Sequence, residues 1–130
     1  MPSLYLLDTS VCVPVLRERA AIRELPAPTA TTISSIVAAE LWTGAYKLGT
    51  GHVQFARVKE FLEIFEVLPF SPDAARHYGE IRMELEHKGT SIGPMDLLIA
   101  AHARSLGATL ITANIGKFKR VRALKTLAWK

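Results

Sequence analysis

Gly93-Pro94-Met95-Asp96-Leu97-Leu98-Ile99-Ala100-Ala101-His102-Ala103 leads through Leu106-Gly107 to Thr109-Leu110-Ile111-Thr112, and this stretch decides the fold. Gly93 and Pro94 open a helix, because proline costs nothing where first-turn N–H groups are unpaired anyway, and Gly107 closes it. The helix is apolar on nearly every side, which suits a central, buried element. Thr109 to Thr112 follows as a short strand of the parallel, doubly covered kind.

Outward from there the same alternation continues. Leu4-Tyr5-Leu6-Leu7 reads as a buried strand ending at Asp8-Thr9-Ser10, a capping sequence that predicts a helix from Val11 to about Arg23. Thr31-Thr32-Ile33 is a β-branched run, and Ser34 or Ser35 caps a helix from Ile36 to about Leu48, closed by Gly49 or Gly51. Between His52 and Phe65, the apolar residues Phe55, Val58, Phe61, Leu62 and Phe65 mark an amphipathic helix. Val67 to Phe70 reads as a strand, Ser71-Pro72-Asp73 and Gly89 bound a helix over 72–88, and Leu124 to Trp129 reads as a last strand. Pro26, Pro28 and the neighbouring threonines make a connector too short to separate domains, and no repeat is present. A chain of 130 residues with this pattern is expected to form one domain over 1–130, an α/β sandwich with a mainly parallel sheet between helices.

Composition narrows the class. At 49% hydrophobic and 22% charged residues the chain is unlike a disordered protein. The single cysteine, Cys12, cannot make an intramolecular disulfide, and His52, His77, His87 and His102 form no zinc-like spacing with it. No apolar run approaches the ~18–20 residues that span a bilayer, and the N-terminus lacks a secretory pattern, so a soluble cytoplasmic protein is expected. Charge is unevenly placed. Residues 1–96 hold twelve acids and nine bases, net −3, while residues 97–130 hold seven bases and no acid, net +7. Such a basic C-terminal quarter suits a polyanion, with a plain solvated surface as the alternative.

Several acids stand in apolar surroundings. Glu40 has Ile36, Val37, Thr43 and Gly44 as its helical neighbours, and Asp96 has Ile92, Gly93, Ile99 and Ala100. Neither has a local cation. Asp8 ends the first strand and Asn114 follows the strand 109–112, so both are expected at the carboxyl edge of the sheet, where parallel α/β proteins bind ligands. Unpaired buried carboxylates must be protonated, matched to a distant cation or bound to a metal. If Asp8, Glu40 and Asp96 converge, oxygen ligands without Cys or His select Mg²⁺ or Mn²⁺. Structural roles compete: Asp8 as a helix cap, Asp96 against the helix dipole, Glu40 bridged to Arg17 or Arg82, and Asn114 as a turn or cap residue.

Leu6-Leu7-Asp8-Thr9-Ser10, the isolated Glu40, Gly93 to Ala103, and Leu110-Ile111-Thr112-Ala113-Asn114 to Phe118 together resemble the PIN-domain ribonucleases, and among them the VapC-type toxins of type II toxin-antitoxin modules. The similarity runs over essentially the whole chain, and Gly93 to Ala103 is its most specific part. It implies a PIN-like three-layer α/β/α sandwich and a metal-dependent endoribonuclease. Asp8, Glu40 and Asp96 match the family's metal-binding acids. Asn114 matches a fourth catalytic position that is acidic in many PIN domains; a neutral amide there argues against a second tightly held ion. Ser10 and Thr112 match supporting hydroxyls, expected to hydrogen-bond metal-held water or a phosphate oxygen.

The resemblance further implies an Mg²⁺ or Mn²⁺ cofactor, hydrolysis by water leaving 5′-phosphate and 3′-hydroxyl ends, and a structured RNA substrate such as tRNA, with the initiator tRNA anticodon loop suggested. Such toxins inhibit translation. A VapB-type antitoxin and a homodimer are the partners it implies, with the apolar residues of 53–65 as a candidate contact. Lys117, Lys119, Arg120, Arg122 and Lys125 follow Asn114 and are expected to hold RNA phosphates. A catalytically silent RNA- or protein-binding module of the same fold is the alternative. A phosphoacceptor receiver domain fits poorly, since Asp8 is single and Val67 to Phe70 carries no Asp.

Overall fold

Leu6, Leu7, Leu110 and Ile111 are at most 2% exposed, as strands covered on both faces require. They belong to β1 (Tyr5–Leu7) and β4 (Thr109–Thr112), which pair in parallel with Leu7 opposite Ile111. The computed structural model, which describes residues 4–129, extends this pair into a five-stranded sheet. Its order is β3-β2-β1-β4-β5, with β2 at Thr31–Ser34, β3 at Glu66–Leu68 and β5 at Lys125–Ala128. All the pairings are parallel. β3 ends before Pro69, which has no N–H to give a ladder.

Six α-helices fill the connections: α1 (Thr9–Arg17), α2 (Ser35–Leu48), α3 (Val53–Ile64), α4 (Pro72–Lys88), α5 (Pro94–Leu106) and α6 (Ile115–Phe118). The sequence-predicted first helix ran on to Arg23, but α1 stops at Arg17 and a 3₁₀ segment covers Arg19–Glu24. Val11, Cys12, Val15 and Leu16 are buried, and the next positions on that face, Arg19 and Ala20, are exposed. With no apolar stripe left to bury, packing no longer supports the helix. Ser34, His52 and Ser71 cap α2, α3 and α4 by accepting the N–H groups of Ile36, Gln54 and Ala74 at 3.1, 3.0 and 3.1 Å. Gly89 and Gly107 end α4 and α5 at φ +67° and +64°, a left-handed turn that a side chain would strain.

Right-handed crossovers put the helices that follow β1 and β2 on one face of the sheet and those that follow β3 and β4 on the other. The packing agrees. α1 touches α2 and α3, and α4 packs along α5. The chain runs outward from β1 to β3 and then returns to β4 and β5, so its direction switches between β1 and β4. A crevice at the carboxyl ends of those two strands is where such sheets bind ligands. A receiver-type order, 2-1-3-4-5, is not the one found.

His102 of α5 is 1% exposed, with Nδ1 2.7 Å from the Ser34 hydroxyl and its ring edge-on to Phe70. Ser34 Oγ already accepts the Ile36 N–H, so its proton is available for Nδ1 of a neutral ring. Burial pushes the imidazole pKa down. The unfolded chain therefore binds the proton more readily, and stability falls as pH drops below the unfolded histidine value of about 6.5. Unfolding free energies from urea titrations between pH 5 and 8 should decline on the acid side by up to about 1.4 kcal/mol per unit, and His102→Gln should flatten that decline.

Candidate active site

Asp8 stands one residue beyond β1, 2% exposed, with its N–H donated to the Ile111 carbonyl at 2.9 Å. It occupies the N-cap position of α1, yet its carboxylate makes no cap bond. Two hydroxyls claim it instead. Ser10 Oγ donates to Asp8 Oδ2 at 2.6 Å and Thr112 Oγ1 donates to the same oxygen at 2.8 Å. Each hydroxyl oxygen accepts a backbone amide in turn, Ser10 from Ala113 at 3.0 Å and Thr112 from Asn114 at 2.9 Å. These bonds knit the ends of β1 and β4 together and fix the carboxylate, with Oδ1 left free of protein hydrogen bonds among the described residues. Ser10 and Thr112 thus spend their protons on Asp8, where the resemblance had suggested a role toward bound water or phosphate.

Glu40, half-buried in α2, accepts the Thr9 hydroxyl on Oε1 at 2.6 Å. Thr9 went unnoticed in the sequence because its partner lies 31 residues away. Among the described residues Glu40 has no ion pair. Arg17 lines a cavity with it but does not bridge it, and Arg82 binds Glu86 at 2.7 Å instead. Cys12, fully buried one turn into α1, senses both acids. Its thiol pKa is driven far up, first by burial and then by the charges of Asp8 and, more weakly, Glu40. It is inert as a nucleophile.

Asp96 lies half-buried in the first turn of α5, and Lys117 of α6 reaches it with Nζ 2.9 Å from Oδ2. A β-carbon on Gly93 would stand 3.4 Å from that oxygen, in ordinary van der Waals contact. Of the ways to satisfy a buried carboxylate, Asp96 thus has a cation from elsewhere in the fold, and Lys117 is paired with that acid. Asn114 is exposed at the N-cap of α6, and its side chain makes no cap bond.

Asp8, Glu40 and Asp96 come from the sheet and from helices on its two faces. Among the described residues no three metal-ligating side chains form a ready coordination group. Lys117 supplies the positive charge at Asp96. The donor set still fits a hard divalent ion. It consists of carboxylate oxygens braced by hydroxyls, and no ion pair satisfies Asp8 or Glu40 among the described residues.

Of the remaining predicted bases, Lys119, Arg120, Arg122 and Lys125 are all exposed. Arg120 donates to the Ser91 carbonyl at 3.3 Å and Arg122 stands 3.5 Å from Glu84 Oε1. Lys119 and Lys125 make no such contact among the described residues.

The PIN-domain family profile matches residues 5–124. "Ribonuclease VapC2" of Rickettsia felis is 39% identical over 131 residues, covering 97% of this chain and 98% of that protein. The "tRNA(fMet)-specific endonuclease VapC" of Shigella flexneri is 36% identical over 128 residues, covering 96% and 97%. Among solved structures, VapBC2 from Rickettsia felis bound to a DNA fragment from its promoter is similar with a TM-score of 0.87 at 39% identity, covering 98% of this chain and 99% of that one.

Proposed function

The chain belongs to the PIN-domain family, among its VapC-type toxins, and on that premise we propose that it is a divalent-metal-dependent endoribonuclease that stops translation by cutting structured RNA. The observation that carries this reading is the Asp8 carboxylate, buried at the switch point of a parallel sheet, braced by two hydroxyls and matched by no cation among the described residues. Asp8, Asp96 and Glu40 would hold Mg²⁺ or Mn²⁺. When bound, such an ion supplies positive charge for the phosphoryl oxygens and sharpens the acidity of an attacking water.

The chain's own groups do the rest. Asp8 presents Oδ1, because Ser10 and Thr112 pin Oδ2. Glu40 takes the proton of the attacking water on Oε2, the oxygen that Thr9 leaves free. Lys117, paired with Asp96, would place its ammonium beside a substrate phosphate held at that acid. Asn114 offers an amide oxygen or N–H without adding charge.

Loop nucleotides of a tRNA suit this site, since proteins read RNA sequence mainly on unstacked bases, and the name of the Shigella flexneri relative supports that substrate class. Because water is the nucleophile, a hairpin with one 2′-deoxy nucleotide at the scissile position should be cut within a few-fold of the all-RNA rate. Loss of cleavage there with binding intact would overturn the mechanism. A silent module of the same fold would bind the hairpin and leave it whole.

Lys119 and Lys125 are read as phosphate contacts. Replacing both by Ala should lower the salt slope of RNA binding by about 1.4, at roughly 0.7 per contact on single strands. An unchanged slope would return them to plain surface.

A VapB-type antitoxin is the proposed protein partner, supported by the similarity to VapBC complexes. Residues 1–130 are read as a single PIN domain acting in the cytoplasm; among the described residues no helix is long and apolar enough to cross a membrane. For a homodimer contact, Val58, Phe61 and Phe65 are spent on the core. Exposed Val53 and Ile64, with Tyr46 and Leu48 beside them in the chain, remain as candidates.

A further inference from the structure

We propose that the cavity between α4 and the start of α5 receives an unstacked base of the RNA substrate, with Tyr78 and Arg82 reading it. The proposal rests on the ribonuclease reading above. The cavity holds about 350 Å³, within the size range of small-ligand pockets. Leu85, Ile92 and Leu97 give it apolar walls, and Tyr78, Arg82, Ser91 and the carboxylate of Glu86, paired with Arg82, give it polar groups. An unstacked base needs a face to stack on and donors for its edge.

Tyr78 and Arg82 are one turn apart on α4. The Arg82 guanidinium donates from Nε to Glu86 Oε2 at 2.7 Å and from one terminal nitrogen to the Tyr78 hydroxyl at 3.3 Å. Three of its five N–H groups remain to donate, and the side chain, 56% exposed, is open to a ligand.

The location suits a substrate strand. Pro94 and Leu97 line the cavity and share the first turn of α5 with Asp96. Arg120 ties the Ser91 rim to the basic segment after Asn114. A strand with phosphates along that segment and its scissile phosphate near Asp96 would run beside this opening.

The test uses a cleavable RNA hairpin in which nucleotides flanking the cut are replaced one at a time by abasic residues. With wild-type protein, one abasic position should raise KM about tenfold and leave kcat within about twofold. With Arg82→Ala, the all-RNA hairpin should show that same tenfold KM, and the abasic position should add no further loss. Arg82→Lys, which keeps the charge but not the planar fork, should behave like Arg82→Ala. Anisotropy of the same hairpins on an Asp8→Asn background gives the binding comparison without cleavage. Equal abasic penalties in wild type and Arg82→Ala would overturn the proposal, as would full rescue by Lys. Weakened antitoxin binding with unchanged RNA binding would assign the cavity to a protein instead. Failure of the wild type to cut any RNA would sink the ribonuclease reading itself, while the anisotropy comparison would still decide this one.

Discussion

Asp8→Asn should reduce RNA cleavage by on the order of 10³-fold and at the same time raise the melting temperature by a few degrees. The loss follows from the charge. An amide at position 8 still accepts the Ser10 and Thr112 hydroxyls, so the geometry survives, but the site no longer offers the carboxylate that holds a cation against a phosphate. The gain follows from burial. Asp8 is 2% exposed with no ion-pair partner among the described residues, and an unmatched buried charge costs more than a neutral isostere that keeps the same hydrogen bonds. About 1 kcal/mol of stabilisation is expected, the usual exchange at a site built for function. Cleavage of a quenched fluorescent hairpin and a thermal melt, run on the same preparation, check both halves. Lost activity with a lowered melting temperature would mean that Asp8 is a structural residue.

Phe118→Ala should be the most damaging change to stability, costing about 3–5 kcal/mol from a total of roughly 5–15. Phe118 is fully buried although it ends a helix of four residues. Its ring anchors α6 to the core, and α6 carries Lys117 to Asp96 and sets Asn114 at its start. Urea unfolding should show a sharply lower midpoint with little change in slope. Phe118→Leu, which keeps most of the apolar volume, should cost about half as much or less. A loss below about 1 kcal/mol for the alanine variant would mean that α6 is not docked as described.

α6 also marks where reading the sequence stops working. Four residues containing Gly116 and lacking a side-chain cap have no helical period to detect, and Phe118 holds them in place by a tertiary contact. By contrast α5 was legible to the residue, since Pro94 and Gly107 punctuate it through local backbone chemistry. β4 was legible for a related reason, being a β-branched and apolar run between Gly107 and Ala113. Legibility of the site followed the same rule. That Asp8 and Asn114 lie at the carboxyl edge could be read from strand ends alone. What each acid binds could not, because Thr9 and Glu40 are 31 residues apart, Asp8 and Thr112 are 104 apart, and the Lys117 bond to Asp96 joins two separate helices. The capping reading of Asp8 failed on the same ground. Its position is that of a cap, but a distant hydroxyl competes for its oxygen.

The charge split acquires a structural meaning in this arrangement. Asp8 stands just beyond β1 at the carboxyl edge of the sheet, and the bases that follow Asn114 begin with the one that pairs with Asp96 and continue as an exposed cationic border. Substrate phosphates would be drawn to that border and delivered to the acids only with a cation between them.

The central claim is that these acids hydrolyse RNA through a divalent ion, and the most direct measurement is the cleavage of a tRNA anticodon hairpin by chelator-treated protein as Mg²⁺ or Mn²⁺ is restored, with the product ends identified. The expected result is no cleavage in chelator, recovery that saturates with the metal, and fragments bearing 5′-phosphate and 3′-hydroxyl ends. Cleavage that persists in chelator and leaves 2′,3′-cyclic phosphates would contradict it.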